Sequence, residues 1–235
     1  DKLEISGPAM AASGEVSVTA MQTNPAARGS LNIAETNPKT LASMFATPIE
    51  TTDPKALTRA SGALSFVYAD GALKIDPLKV RLDDSSLTGH LNLLDTRGPV
   101  VRTKMDLDQI DLDRYMPPAA APAATPAAAQ SSPEAAAGAQ PAPPAQAQDD
   151  PFAALRTLDF VGEFTIGNLK VGNARMSNVT SKVVSSKGVL KVDPVSANLY
   201  EGQFKGATVL DVSGKTPKVS AKNQLTGIQI GGLLM

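Results

Sequence analysis

The chain has no cysteine and no tryptophan, and it carries a single histidine, His90, in 235 residues. Each scarcity removes a class of function. One histidine leaves no spare candidate for a histidine-based triad and rules out a histidine cluster for a metal. Three Tyr and six Phe are too few for the aromatic girdles of a membrane barrel. They are also too few for a nucleobase-stacking platform. Formal net charge is -1, with acids and bases interspersed, so no basic patch marks a nucleic-acid partner. No apolar run approaches the roughly 18 residues that span a bilayer, and no signal peptide opens the chain. The absence of cysteine leaves the redox compartment undecided, because many cytosolic domains lack it too. The first residues, "DKLEISGP", already alternate like a strand. The expectation is a soluble fragment of a longer protein whose targeting or membrane segment lies outside it.

What is present is period-2 alternation. Leu78, Val80 and Leu82 alternate with Lys79, Arg81 and Asp83, and Leu87, Gly89, Leu91 and Leu93 with Ser86, Thr88, His90 and Asn92. Leu64, Phe66 and Tyr68 form another stripe. After residue 150 come Phe160, Phe164 and Ile166, then Val195, Ala197 and Leu199, then Phe204, Gly206 and Leu210. Each reads as a strand with one apolar and one polar face. Asp70-Gly71, Lys187-Gly188, Glu201-Gly202 and Ser213-Gly214 supply turns, so neighbouring strands are expected to pair as antiparallel hairpins. The predicted fold class is mainly β, a curved antiparallel sheet (open trough or sandwich-like) with a few short helices.

Asx-Pro occurs six times, at Asn24-Pro25 and at five further positions. Asn37-Pro38, Asp53-Pro54 and Asp150-Pro151 precede stretches that fit short helices, with Asn or Asp at the N-cap. Asp76-Pro77 and Asp193-Pro194 precede strict alternation and are expected between strands, where a missing N–H is tolerated.

Between residues 117 and 150, 8 of 34 residues are Pro and 15 are Ala. Such a segment cannot bury enough apolar surface to order itself, so a disordered or polyproline-like tether is expected. On either side the chain repeats. Gly71, Asp76, Pro77, Leu82, Leu87 and Gly89 recur 117 residues later as Gly188, Asp193, Pro194, Leu199, Phe204 and Gly206. Pro99, Val101, Leu107, Ile110, Leu112 and Tyr115 recur 118 later as Pro217, Val219, Leu225, Ile228, Ile230 and Leu233. The apolar phase slips between Leu107 and Ile110, and again between Leu225 and Ile228, as at a β-bulge or strand end. A partial third copy, Gly14, Pro25, Leu31 and Ile33, opens the chain. The organisation reads as residues 1–50, the end of an upstream β unit plus a short helix; 51–116, a first repeat; 117–150, the tether; and 151–235, a second repeat.

No G-x-S-x-G, H-E-x-x-H or P-loop occurs. His90 falls on the polar side of its strand. "DLDQIDLD" (Asp106, Asp108, Asp111, Asp113) lacks the glycine and terminal Glu of a calcium loop, and its second copy has no acid, so it reads as a solvated strand face. Asp83-Asp84 becomes Tyr200-Glu201 in the second copy, which points to a turn rather than an acid/base pair. Asn178-Val179-Thr180 fits a glycosylation sequon, a triplet that arises often by chance. These features predict no enzyme, no catalytic residue, no metal and no cofactor. The short helical stretches are too small to cover every strand. The apolar faces must be covered by a second sheet, by the sheet curling on itself, or by a ligand.

The ordered series "PLKVRLDDSSLTGHLNL", "PVVRTKMDLDQIDLDRYM", the Ala/Pro tether, and then Leu158 to Leu234 resembles the C-terminal periplasmic part of the AsmA family. Asp83 and Asp84 lie in a "LDDSSLTG" segment typical of it. The resemblance implies a periplasmic module of a protein anchored in the inner membrane of a Gram-negative bacterium, acting in outer-membrane biogenesis. It further implies a β-groove whose apolar floor holds phospholipid or another envelope lipid while head groups stay wet. On that reading the groove is lined by Leu64, Phe66, Leu78, Val80, Leu82, Leu87, Leu91, Leu93, Phe160, Phe164, Ile166, Val195, Leu199, Phe204 and Leu210. Outer-membrane assembly factors are possible partners. The alternative is a non-catalytic interaction module influencing outer-membrane protein assembly, its apolar face closed by a second sheet.

Overall fold

The structure is a computed structural model, and it describes residues 2–7, 10–19, 25–45, 47–95, 100–118, 152–214 and 216–229. Among the described residues twelve strands form one sheet in sequence order. The first three are β1 (Lys2–Ser6), β2 (Ala11–Thr19) and β3 (Ala26–Thr36). Helix α1 (Pro38–Met44) follows. Then come β4 (Ala60–Ala69), β5 (Ala72–Leu82), β6 (Ser85–Leu93) and β7 (Val100–Asp111), which ends in a 3₁₀ turn, Leu112–Tyr115. After residue 151 come α2 (Ala153–Thr157), β8 (Asp159–Val171), β9 (Ala174–Ser186), β10 (Val189–Leu199), β11 (Gly202–Asp211) and β12 (Lys218–Thr226). The expected tether lies almost wholly outside the described residues, as do Pro99, Ile230 and Leu233 of the repeat.

Every pairing among the described residues is antiparallel except one: β7 and β8 run parallel, from Val100 beside Asp159 to Asp111 beside Lys170. The sheet is therefore mixed rather than purely antiparallel. Two parallel neighbours need a long connection, and residues 112–158 supply it. The two repeats, β4–β7 and β9–β12, thus sit in one sheet with β8 inserted between them.

Local chemistry explains most turns. Asp70-Gly71 and Lys187-Gly188 are two-residue hairpins with both residues at positive φ, the turn whose twist matches paired strands. The expected Glu201-Gly202 turn sits one residue earlier: Tyr200 and Glu201 occupy the loop, both at positive φ, and Gly202 begins β11. The side chain of Asn37 caps α1 by accepting from the Thr40 N–H at 3.1 Å. The stretch after Asp53-Pro54 starts like a capped helix, with the Lys55 N–H on the Asp53 carboxylate at 2.9 Å. It turns instead, because Leu57 is left-handed and the next N–H groups are taken by Asp83. Asp76-Pro77 and Asp193-Pro194 are not between strands. Both are cis peptides inside β5 and β10, each at a register shift, where proline removes no ladder hydrogen bond.

Among the described residues only Ala12, Ala56, Val179, Ala197 and Val212 are buried hydrophobics. No Leu, Ile, Phe or Met among them is buried. A sandwich interior would bury such side chains fully, so the sandwich-like alternative does not describe this sheet. No helix among the described residues is long and apolar enough to cross a membrane.

Candidate functional site

Residues paired across strands share a face of the sheet, so the registers assemble the apolar stripes into rows. One row runs Ile33, Gly62, Val80, Leu87, Leu107, Ile166, Val179. The next runs Leu31, Leu64, Leu78, Gly89, Met105, Phe164, Ser181, Val195, Gly206. A third links Gly29, Phe66, Ile75, Leu91, Thr103, Gly162, Val183 and Val192. A fourth links Tyr68, Leu73, Leu93, Val101, Phe160, Ser185, Leu190, Leu210 and Val219. Phe204 faces Ala197 and Leu225. Leu82 lies between Ala60 and Ser85. Leu199 lies between Met176 and Gly202. The proposed lining residues therefore fall on one face, and all of them are half-buried.

The phase slip seen in the sequence is a shared irregularity. Pairing skips Asp108 on β7, Gly167 on β8 and Asn178 on β9, and Asn178 is left-handed. β10 runs through uninterrupted against β11 from Val195 to Leu199. Met176, paired to Leu199, thus returns to the face of Val195, and Leu169 and Ile110 follow it by register. Three strands slip together, and the floor gains a further apolar row, Ile110, Leu169, Met176, Leu199. Of that row only Leu199 was in the expected lining; Ile110, Leu169 and Met176 were missing from it. The even-numbered phase of Ile110 was the signal that could have found it.

Glycines set the depth of the floor. A Cβ at Gly162 would meet the rings of Phe160 and Phe164, both at 2.7 Å; at Gly29 it would meet Phe66 at 2.9 Å, and at Gly206 Phe204 at 2.9 Å. The rings lie down over bare backbone, and Phe160 and Phe164 stack with centroids 6.3 Å apart.

The carboxylates serve the scaffold. Asp83 is left-handed and 5% exposed. Its Oδ2 accepts from the Leu57 N–H at 2.8 Å and the Tyr115 hydroxyl at 3.1 Å. Its Oδ1 accepts from the N–H groups of Thr58 at 3.0 Å and Arg59 at 3.1 Å. Burial pushes this carboxyl up, but the N–H groups of Leu57, Arg59 and Thr58 and the Tyr115 hydroxyl outweigh it, leaving it below the usual carboxylate range. Tyr115 is pushed up by burial and by the Asp83 charge. Asp84 binds Arg59 and Arg114, each at 3.0 Å, and Arg114 reaches Asp53 at 2.7 Å. Lys170 pairs with Asp111 at 2.8 Å and Asp113 at 3.3 Å. Asp108 accepts from the Ser86 N–H at 2.7 Å. Asp108, Asp111 and Asp113 are thus more engaged than a solvated face would be, Asp106 stays exposed, and among the described residues no three metal-ligating side chains cluster. His90 lies opposite Lys104, out of phase with the floor row through Gly89 and Met105.

The AsmA family model matches residues 18–235. The chain belongs to the AsmA family. Neither curated proteins nor solved structures gave a significant match. Family membership is consistent with a role related to outer-membrane biogenesis or lipid transport.

Proposed function

We propose that this AsmA-family chain binds phospholipid or another envelope lipid by laying acyl chains along the apolar floor. In this reading it is a periplasmic, non-enzymatic module of an inner-membrane-anchored protein acting in outer-membrane biogenesis, with outer-membrane assembly factors as partners. One observation carries the reading: apolar rows continue across the strands of an open sheet, and the expected lining residues stay half-buried, with no second layer above them among the described residues. A monomeric protein rarely leaves so large an apolar surface to water. Each acyl methylene buried there contributes about 0.8 kcal/mol. Neighbouring strands stand about 4.8 Å apart, so every added strand lengthens the floor without adding a specific pocket. The absence of catalysis is supported by the carboxylates' engagement with backbone and cations.

The test is organic extraction of the purified complete chain followed by mass spectrometry, together with exchange of a fluorescent phospholipid into it. Co-purifying lipid, displaced by the fluorescent one and lost on placing charges in the floor, is the expected result. A chain that neither carries nor takes up lipid would overturn the reading.

A further inference from the structure

β12 stands at one side of the sheet, and its outer edge has no partner strand among the described residues. One hydrogen bond and the registers fix which backbone groups that leaves. The Val212 N–H donates to the Gly188 carbonyl at 2.7 Å, so even-numbered residues of β11 aim their N–H and C=O groups at β10 and odd-numbered ones aim theirs at β12. The odd-numbered residues engage Lys218, Ser220, Lys222, Gln224 and Thr226. Val219, Ala221, Asn223 and Leu225 therefore point their N–H and C=O groups outward, a ready template for another strand.

The edge is long and unbroken. β12 pairs with β11 from Lys218 to Thr226 without a register shift, holds no proline, and is exposed at all nine residues. β1, at the other side of the sheet, has five residues, and so short an edge gives an incoming strand little to hold. On the floor side of β12, Val219 and Leu225 are 70% and 60% exposed, because each has a neighbour on one flank alone. After β12 the Gln229 N–H donates to the Tyr200 carbonyl at 3.1 Å, which carries the chain back across β11 and away from the free edge. On its other side β12 carries Lys218 and Lys222 and no acid. Asp211 faces Lys218, whereas Ala207 faces Lys222. Two copies joined antiparallel through this edge, with Val219 beside Leu225, would set Lys222 against its own counterpart, and like charges placed opposite each other are unfavourable.

We propose that the outer edge of β12 receives a strand from another protein: an extended segment whose apolar residues lie beside Val219 and Leu225 and whose alternate, acidic residues face Lys218 and Lys222. Backbone pairing supplies the attraction, and the side chains on the two faces supply the choice of partner. The inference does not depend on the lipid reading.

The experiment adds two peptides matched in length to β12, one alternating Val with Glu and the other Val with Lys, to the complete chain. Amide exchange and fluorescence anisotropy are the readouts. The amides of Val219, Ala221, Asn223 and Leu225, fast in the free chain, slow when the Val/Glu peptide is added. Opposite charges on facing positions predict that this peptide binds about tenfold more tightly than the Val/Lys one. Ala221→Pro removes an outward N–H, leaves the β11 ladder in place and abolishes binding. Lys222→Glu, an exposed change, inverts the preference and carries the test if the proline variant fails to fold. Exchange unchanged by either peptide, or binding that survives Ala221→Pro in a folded chain, overturns the proposal. Equal binding of the two peptides, or a preference that survives Lys222→Glu, overturns the acidic partner. A dimer of the chain alone, abolished by Ala221→Pro, would assign the edge to a second copy and overturn the partner as well.

Discussion

The two repeats, β4–β7 and β9–β12, share a skeleton and differ in how they are pinned. Both have a two-residue turn with left-handed residues, a cis Asp-Pro at a register shift, and a glycine, Gly89 or Gly206, at the same place. Their anchors are unrelated. The first repeat hangs its turn on Asp83, whose carboxylate collects three backbone N–H groups and a phenol. The second has Tyr200 there, and its hydroxyl donates to the Asn173 carbonyl. It is also held by Arg156 of α2, which donates to the Val212 carbonyl at 2.7 Å. Duplication kept the apolar beat and left the polar fastenings free to change. A floor requires its face everywhere, whereas a turn can be fixed by any local donor and acceptor.

The largest expected difference follows from those fastenings. Asp83→Ala should destabilise the protein by about 3 kcal/mol, because it strands backbone donors in a part-buried site. Tyr200→Phe removes one hydrogen bond and should cost about 1 kcal/mol. Urea midpoints of the two variants measure the contrast, and equal losses would remove it.

The glycines test the shared skeleton. A Cβ at Gly89 would run into the Lys104 carbonyl oxygen, which is backbone, and the Met105 sulfur at 2.7 Å. At Gly206 the nearest atoms it would meet are side chains, Asn223 at 2.8 Å and Phe204 at 2.9 Å. Overpacking against backbone should make Gly89→Ala cost about 2 kcal/mol and Gly206→Ala about 1 kcal/mol, read from thermal unfolding.

Acid should separate the repeats without mutation. Asp83 lies below the usual carboxylate range in the folded chain. Its contribution is therefore complete above the unfolded value and is lost as pH falls through the folded one. Amide-exchange protection of Leu57, Thr58 and Arg59 is expected to drop below about pH 4, ahead of protection in the Tyr200 turn, whose fastening is a neutral hydroxyl on a carbonyl. Simultaneous loss would mean that the carboxylate is not the fastening.

The smallest effect on stability belongs to the floor. Leu78 and Val195 occupy the same row, 117 positions apart, and both are half-buried. Leu78→Glu and Val195→Glu should each shift stability by no more than about 1 kcal/mol, yet each should reduce lipid uptake. Loss in only one repeat would show that the floor is not used along its length.

Much of this was legible in the alternation. Leu78, Val80 and Leu87 announce a strand face by period alone, because successive side chains on a strand point oppositely. The slip at Ile110 announced an irregularity. The roles of Asp83 and Asp84 were not legible: their partners, Leu57, Thr58, Arg59 and Arg114, lie 24 to 30 positions away. The in-strand cis Asp-Pro was misread as a strand start because a bulge leaves the same local pattern as a boundary.

By itself the sequence determined which side chains share a face, where hairpins turn, and that two copies of one strand unit flank an Ala/Pro segment, since these depend on neighbours within a few residues. The tertiary structure decided that the copies join one sheet through a parallel β8 and that the apolar face lies open. Alternation marks a face as apolar but carries no information about what covers it, and strand direction across a long connection is set by contacts far apart in the chain.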